Sequence, residues 1–117
     1  MKIRWAPPSI TEDERKSVLK VFDSNWFTQG PITELVEKKI CEITKSKYAV
    51  MTNNGTSALI CSLLAHKIGP GDEVIVPSFT FVATANAILS VGAKPVLVDC
   101  NVKTFNTEVE FMKNKIT

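Results

Sequence analysis

A short turn of small and hydroxyl-bearing residues, Gly55-Thr56-Ser57, stands between an apolar run and a helix-like run. The first amide groups of a helix have no partner within the helix, and they lie at the positive end of its dipole. Gly55 lets a ligand approach the backbone without a Cβ in the way, and Thr56 and Ser57 add two hydroxyl donors. The combination favours binding of a phosphate group.

A simpler interpretation of the same residues is purely structural. Asn54-Gly55 is a common turn pair, and Thr56 would then cap the helix that follows. The glycine spacing matches neither GxGxxG nor GxxxxGKS, so the turn supports neither a dinucleotide fold nor a P-loop.

An aromatic residue, Phe81, is predicted at the same edge of the sheet as this turn. It follows the apolar run Val74-Ile75-Val76, which Pro77 closes as a strand. A ring at that place could stack on a flat cofactor held by its phosphate. Phe79 is more typical of a core residue, and Asp99 is more typical of a turn than of a cleft.

The first part of the chain, residues 1–47, is predicted to be a helical segment. Thr11 and Glu14 fit a capping box that begins a helix over residues 11–24. Pro31 begins a second helix, which ends near Lys45.

Residues 48–117 change to a β-α-β-α-β pattern with nearly continuous apolar strands. Such a pattern predicts an α/β fold with a partial parallel sheet in a three-layer arrangement. A second capping box, Thr107 to Glu110, predicts a last helix. The predicted strands cover residues 48–52, 74–76 and 95–99, and the helices between them cover residues 56–67, expected to be buried, and 81–91.

The composition is that of a globular domain. The 117 residues are 44% hydrophobic and 22% charged, and the net charge of +2 gives no reason to expect nucleic acid or an anionic membrane as a partner. No leader or membrane span is visible, which predicts a cytoplasmic location. The cysteines, without metal-ligand spacing, are expected to be buried reduced thiols, and the only histidine is expected at a helix end; these residues are Cys41, Cys61, Cys100 and His66.

Four sequence blocks occur together in a fixed order and spacing. In this arrangement the chain resembles the amino-terminal portion of the DegT/DnrJ/EryC1/StrS family of pyridoxal-phosphate sugar aminotransferases. The resemblance extends from about Trp26 to Phe105. The four blocks cover residues 26–31, 54–59, 68–84 and 92–99.

The resemblance implies the opening part of the large domain of a fold-type I enzyme that uses pyridoxal 5'-phosphate. By resemblance, Gly55, Thr56 and Ser57 bind the cofactor phosphate and Phe81 stacks on its pyridine ring. The implied reaction transfers an amino group from a glutamate-type donor to a nucleotide-linked keto-sugar in polysaccharide biosynthesis, by an enzyme that is a homodimer when full length. The loop around residues 28–30 is implied to lie near the sugar-nucleotide entrance.

No catalytic residue is assigned to this chain. The family's Schiff-base lysine and the aspartate that pairs with the pyridine nitrogen are expected beyond residue 117, so the chain is not expected to catalyse the reaction alone. Two alternatives stay open, namely a pyridoxal-phosphate sugar dehydratase and a truncated, non-catalytic binding or regulatory partner. Because three parallel strands leave two exposed edges, the isolated chain is expected to be marginally stable, aggregation-prone or dependent on a partner.

Overall fold

A computed structural model describes residues 6–117, and the first five residues, where no leader is expected, lie outside the described part. Contacts divide the chain into two compact units between Val50 and Met51. The elements are α1 (Glu12–Ser24), α2 (Pro31–Thr44), α3 (Gly55–Ala65), β1 (Glu73–Pro77), α4 (Ala83–Ser90), β2 (Lys94–Val98) and α5 (Val109–Lys113).

The first unit contains α1 and α2, within a residue or so of their predicted bounds. The predicted capping box is present at α1, because the Thr11 hydroxyl accepts from the Asp13 amide at 3.3 Å and the Thr11 amide donates to the Glu14 carboxylate at 2.6 Å. Pro31 occupies the first position of α2, where a missing amide hydrogen costs no helical bond. Both helices therefore start where the sequence indicates.

The apolar stripes of α1 and α2 are open to solvent. None of residues 6–50 is buried, and Leu19 and Leu35 are each 60% exposed. An amphipathic helix gains most of its stability from burying such a stripe. The first unit therefore has no core of its own among the described residues.

The second unit is built on a parallel pair of strands, β1 and β2, joined through α4. Glu73 is opposite Lys94 and Pro77 is opposite Val98 in the register. The ladder continues beyond the carboxyl end of β1, where the Ser78 amide donates to the Val98 carbonyl at 2.8 Å. This crossover through a helix confirms the predicted α/β class.

A small apolar core lies between the helices and the sheet. Val76, Ile88 and Ala93 form its centre, and Leu63 and Ile68 pack against it from the α3 side. The buried residues of the described chain are all apolar: Val76, Ala87, Ile88, Ala93 and Val98. The core therefore fixes α3 and α4 to the sheet.

The turns that follow α3 and α4 pack together at the amino edge of the sheet. Gly92 has a φ of +80°, and a Cβ added to it would lie 3.0 Å from the Pro70 ring. A Cβ added to Gly69 would lie 3.5 Å from the Val91 carbonyl oxygen. Since both helices end at this edge, both begin at the opposite, carboxyl edge.

Two predicted elements differ in the structure. Residues 48–52, predicted as the first strand, have no regular secondary structure, because a strand requires a ladder and the described sheet has only β1 and β2. The predicted burial of α3 is also wrong, since none of its residues is buried and Leu64 is 57% exposed. No helix or strand among residues 6–117 covers the second apolar face of α3.

Two smaller expectations also fail. The last helix has Glu108 as its N-cap, without a side-chain cap bond, so the predicted box at Thr107 does not form. Instead, the Thr107 hydroxyl is buried without a hydrogen-bond partner in the described structure. The three cysteines are free, as expected, but Cys61 is exposed and Cys41 and Cys100 are half-buried, because the core is too small to cover them.

Candidate functional site

The turn before α3 is fixed by its own residues. Asn54 is the N-cap, and its side-chain oxygen accepts from the Ser57 amide at 2.9 Å. Its carbonyl accepts from the Ala58 amide at 3.2 Å and from the Thr52 hydroxyl at 2.9 Å. Three hydrogen bonds converge on Asn54 and hold the turn before α3.

Four donors remain at this helix terminus. The amides of Gly55 and Thr56 and the hydroxyls of Thr56 and Ser57 have no hydrogen-bond partner among residues 6–117. Thr56 and Ser57 are half-buried, and a Cβ added to Gly55 would meet no atom within 4 Å. The terminus therefore offers unused donors around open space.

The charge at this terminus also suits an anion. The first turn of α3 contains no acidic residue. The positive end of the helix dipole is therefore not neutralised by the helix itself. A phosphate group fits these residues, since it can accept several hydrogen bonds there without displacing any bond of the fold.

Phe81 lies immediately before α4 with its ring largely in solvent. The side chain is 75% exposed, whereas the Phe81 carbonyl accepts from the Thr84 amide at 3.0 Å. The Thr80 and Thr84 hydroxyls lie 3.2 Å apart and add a second connection across this turn. The backbone is thus anchored while the ring is exposed.

The topology brings the predicted residues to one edge of the sheet. Gly55, Thr56 and Ser57 begin α3, and Phe81 precedes α4. Because both helices end together at the amino edge, their beginnings lie at the carboxyl edge, where open α/β sheets bind ligands. The roles of these four residues stay predictions of the sequence.

The neighbouring candidates have other surroundings. The Asp99 carboxylate accepts from the Cys100 amide at 2.9 Å, which fits the predicted turn. Phe79 is 64% exposed and its ring lies 5.2 Å from that of Phe105, so its predicted place in a core is wrong. His66 is the C-cap of α3, as the sequence predicts.

Two classes of feature are absent from the described residues. Among residues 6–117, no group of three or more histidine, cysteine or acidic side chains could hold a metal ion. Within the same residues, no helix is long and apolar enough to cross a membrane.

Sequence reasoning missed the role of Asn54. The structural alternative made Thr56 the cap, but the cap is two residues earlier, at Asn54, which accepts the capping bond, and the helix starts at Gly55. The signal was present in the sequence, since asparagine is among the preferred N-cap residues. With Asn54 as the cap, the Thr56 hydroxyl is free for a ligand.

Comparisons with known proteins identify relatives of this chain. The chain is 42% identical over 117 residues to the GDP-perosamine synthase of Caulobacter vibrioides, a match that covers 99% of this chain and 32% of the relative. It is similar to a putative sugar aminotransferase of Streptococcus pneumoniae in its PMP form, with 38% identity and a TM-score of 0.91. That match covers 100% of this chain and 30% of the other.

A third similar protein, and the second solved structure, is a dehydratase. It is a GDP-4-keto-6-deoxymannose-3-dehydratase mutant with bound GDP-perosamine, 29% identical with a TM-score of 0.86, and the match covers 96% of this chain and 31% of the dehydratase. This chain therefore spans about a third of the length of these relatives. Its fold corresponds to part of the fold-type I sugar aminotransferases.

The model of the DegT/DnrJ/EryC1/StrS aminotransferase family matches residues 8–117, nearly the whole sequence. This match and the free helix terminus at Gly55 come from independent observations, one of sequence and one of hydrogen bonding. The chain belongs to the DegT/DnrJ/EryC1/StrS aminotransferase family.

Proposed function

We propose that this chain forms the cofactor-phosphate part of a pyridoxal 5'-phosphate enzyme that transfers an amino group from a glutamate-type donor to a nucleotide-linked keto-sugar. The observation that supports it most is the set of four unused donors at Gly55, Thr56 and Ser57. The similar Streptococcus pneumoniae structures include PMP and PLP forms. The whole protein is proposed to work in the cytoplasm as a homodimer.

Each site residue has a separate proposed role. The amides of Gly55 and Thr56 and the hydroxyls of Thr56 and Ser57 bind and orient the phosphate. The Phe81 ring stacks on the pyridine ring and excludes water from that face. When bound, pyridoxal phosphate supplies an electron sink for carbanion chemistry, which a protein lacks among its own side chains.

This chain holds the cofactor without supplying the reacting amine. We assign no catalytic role to any of its lysines, and we propose that the lysine and the pyridine-binding aspartate belong to the part of the family fold that this chain does not match. The nucleotide sugar and the amino donor are therefore substrates of the whole protein.

An absorbance titration with pyridoxal phosphate tests the proposal. We expect a saturable spectral change that is lost in the double variant Thr56→Val, Phe81→Ala. The matched control is Thr107→Val with Phe105→Ala, which removes one unpaired hydroxyl and one aromatic ring elsewhere in the same unit. The control should bind as the original chain does.

Two results would contradict the proposal. One is an unchanged spectral response in the double variant at positions 56 and 81. The other is a borohydride-fixed adduct on a lysine of this chain, which would show that the reacting amine is present here. Binding without such an adduct in the 117-residue chain is the expected result.

The second candidate is a pyridoxal-phosphate sugar dehydratase. The similarity to the dehydratase with bound GDP-perosamine supports it, at lower identity than the match to the Streptococcus pneumoniae aminotransferase. Both candidates use the same phosphate turn. The product formed by the whole protein distinguishes them, because only the aminotransferase leaves the donor's nitrogen on the sugar, whereas the dehydratase gives a deoxygenated sugar.

A further inference from the structure

Asn54 differs from every other asparagine of the sequence in being followed by glycine. The others precede tryptophan, asparagine, alanine, valine, threonine or lysine. An asparagine side chain loses ammonia when the amide nitrogen of the next residue attacks its carbonyl carbon. A glycine in that next position hinders the attack least, because it has no Cβ. The sequence therefore singles out Asn54 for this reaction.

The attacking nitrogen, that of Gly55, is unoccupied and accessible. It has no hydrogen-bond partner among residues 6–117, and both Asn54 and Gly55 are exposed. Water can therefore reach the nitrogen that must lose its proton. Asn86, by contrast, lies inside α4, where the next amide belongs to the helical ladder.

The electrostatics of the turn favour attack on the Asn54 side chain. Its carbonyl oxygen accepts from the Ser57 amide at 2.9 Å, and negative charge develops on this oxygen when the carbon is attacked. The first turn of α3 has no acidic residue, so the positive end of the helix dipole also stabilises a deprotonated Gly55 nitrogen. Both charges of the reacting state thus lie where the turn supports them.

The backbone of Asn54 must move for the ring to close. It is extended, with φ −166° and ψ 169°, and the Gly55 nitrogen reaches the side chain only after rotation about the Cα–C bond of Asn54. The Thr52 hydroxyl and the Ala58 amide both donate to the Asn54 carbonyl and resist this rotation. These bonds lie at an exposed helix end, where local opening needs less free energy than global unfolding. Fraying of the first turn of α3 is therefore sufficient.

We propose that Asn54 is a site of spontaneous deamidation and that a phosphate group bound at the Gly55 amide prevents it. The Gly55 nitrogen gives its proton to water and bonds to the Asn54 side-chain carbonyl carbon, and the side-chain nitrogen leaves as ammonia. Water then opens the cyclic imide and gives an aspartyl or an isoaspartyl residue. The net reaction consumes water and releases ammonia without oxidation or reduction.

The modification changes the charge of the anion site. Either product places a carboxylate beside the unused donors of Gly55 and Thr56, and the isoaspartyl product also lengthens the main chain by one methylene group. Phosphate binding and deamidation require the same nitrogen, so they exclude each other. An empty turn therefore loses affinity for an anion with time, whereas an occupied turn keeps it. The deamidation rests on the geometry of the turn, and the protection rests on the proposed function.

Peptide mapping of the incubated 117-residue chain by mass spectrometry tests the deamidation. We expect Asn54 to convert at least about tenfold faster than Asn53, which is exposed in the same turn but is followed by a residue with a Cβ. This comparison is made within the unsubstituted chain and needs no variant to fold. Equal conversion of Asn53 and Asn54 would overturn the proposal.

Gly55→Ala tests the identity of the attacking nitrogen. The added Cβ would meet no atom within 4 Å, so the fold accommodates it, but it hinders attack on the Asn54 side chain. We expect the conversion of Asn54 to slow about tenfold or more. An unchanged rate would contradict attack by the Gly55 amide.

Pyridoxal phosphate and pyridoxal, which lacks the phosphate, test the protection. Saturating pyridoxal phosphate should slow the conversion of Asn54 about tenfold, because only the unoccupied turn reacts, whereas pyridoxal should leave the rate unchanged. Equal rates with both compounds would overturn the protection and count against phosphate binding at Gly55. Slow conversion of Asn54 without any ligand would instead overturn the deamidation and leave the proposed function standing.

The fully converted chain tests the consequence for binding. Its affinity for pyridoxal phosphate, measured by absorbance titration, should be about tenfold lower than that of the fresh chain. Asn54→Asp reproduces one of the two products and should show part of this loss. An unchanged affinity after complete conversion would contradict the loss of function with time.

Discussion

The N-termini of α1 and α3 both present backbone donors, but these donors serve different purposes. At α1, the capping box of Thr11 and Glu14 pairs amides of the terminus with side chains, and three acidic residues stand in the first turn. At α3, Asn54 takes one amide, no acidic residue is present in the first turn, and four donors stay unused. The first terminus is completed by its own side chains, whereas the second is left open to an external anion. At these two termini, acidic residues are present in the first turn where the donors serve the fold and absent where donors stay unused.

The largest expected effect comes from making α3 resemble α1. Ser57→Asp places a carboxylate where the phosphate is proposed to bind. We expect the affinity for pyridoxal phosphate, measured by absorbance titration, to fall at least about a hundredfold, because two anions compete for the same donors.

The control for this change is Ser62→Asp, which adds the same charge further along α3, where the serine hydroxyl donates to the Ala58 carbonyl at 2.9 Å. Its affinity should stay close to that of the original chain. A hundredfold loss in both variants would show that net charge, and not position, controls binding.

A smaller effect is expected from removing the aromatic ring while keeping the open terminus. Phe81→Ala should weaken pyridoxal phosphate binding about tenfold, since stacking contributes roughly 1 kcal/mol beyond surface burial. Competition by inorganic phosphate should be unchanged, because phosphate has no ring to stack. An altered phosphate affinity would indicate that Phe81 instead shapes the turn.

Removal of the single cap of α3 should cost stability. Asn54→Ala removes the bond to the Ser57 amide, and we expect the free energy of unfolding to fall by about 1 kcal/mol in a urea titration. Asn54→Asp keeps an acceptor at the cap and should retain most of the stability. Equal stability of the alanine and aspartate variants would show that the capping bond contributes nothing.

The smallest expected effect is a pH dependence of helix stability that is confined to the first turn of α1. The hydrogen bonds from the Thr11 hydroxyl and then the Thr11 amide hold the pKa of Glu14 below its ordinary value. The ionised Glu14 carboxylate therefore stabilises the folded state above the unfolded-state pKa of about 4.3, and this stabilisation is lost as the pH falls through the lower folded-state pKa.

Amide chemical shifts followed through this acid range measure the effect for each helix separately. The first turn of α1 should fray on acidification, whereas the first turn of α3, which has no acidic residue, should not change through this mechanism. Glu14→Gln should remove the response of α1. Equal acid fraying of both helices would contradict the comparison.

The sequence predicts local features of this fold better than features that depend on distant partners. Thr11, Pro31 and Pro77 mark element ends through chemistry within a few residues, and each end is found as predicted. Residues 48–52 and the second face of α3 depend on segments far away, so their apolar character predicted pairing and burial that residues 6–117 do not supply.

The candidate site shows the same difference between local features and features that depend on distant segments. The donors at Gly55 to Ser57 were predictable because a helix terminus and its hydroxyls are local. The cap at Asn54 was missed because asparagine and threonine are both good caps, and only the backbone conformation shows which one begins the helix. The reacting lysine and its aspartate partner are proposed to belong to the part of the family fold that this chain does not match.

The close approach of Gly92 to Pro70 has a mechanical consequence. It brings together the turns at the carboxyl-terminal ends of α3 and α4, helices that are about 16 and 12 Å long. A side chain at position 92 would be strained at a φ of +80° and would require the Pro70 ring to shift by a few tenths of an ångström. Because the other ends of α3 and α4 carry the phosphate turn and Phe81, such a shift would be transmitted towards these residues. A glycine at the amino edge of the sheet can thus influence the distance between Gly55 and Phe81 at the carboxyl edge.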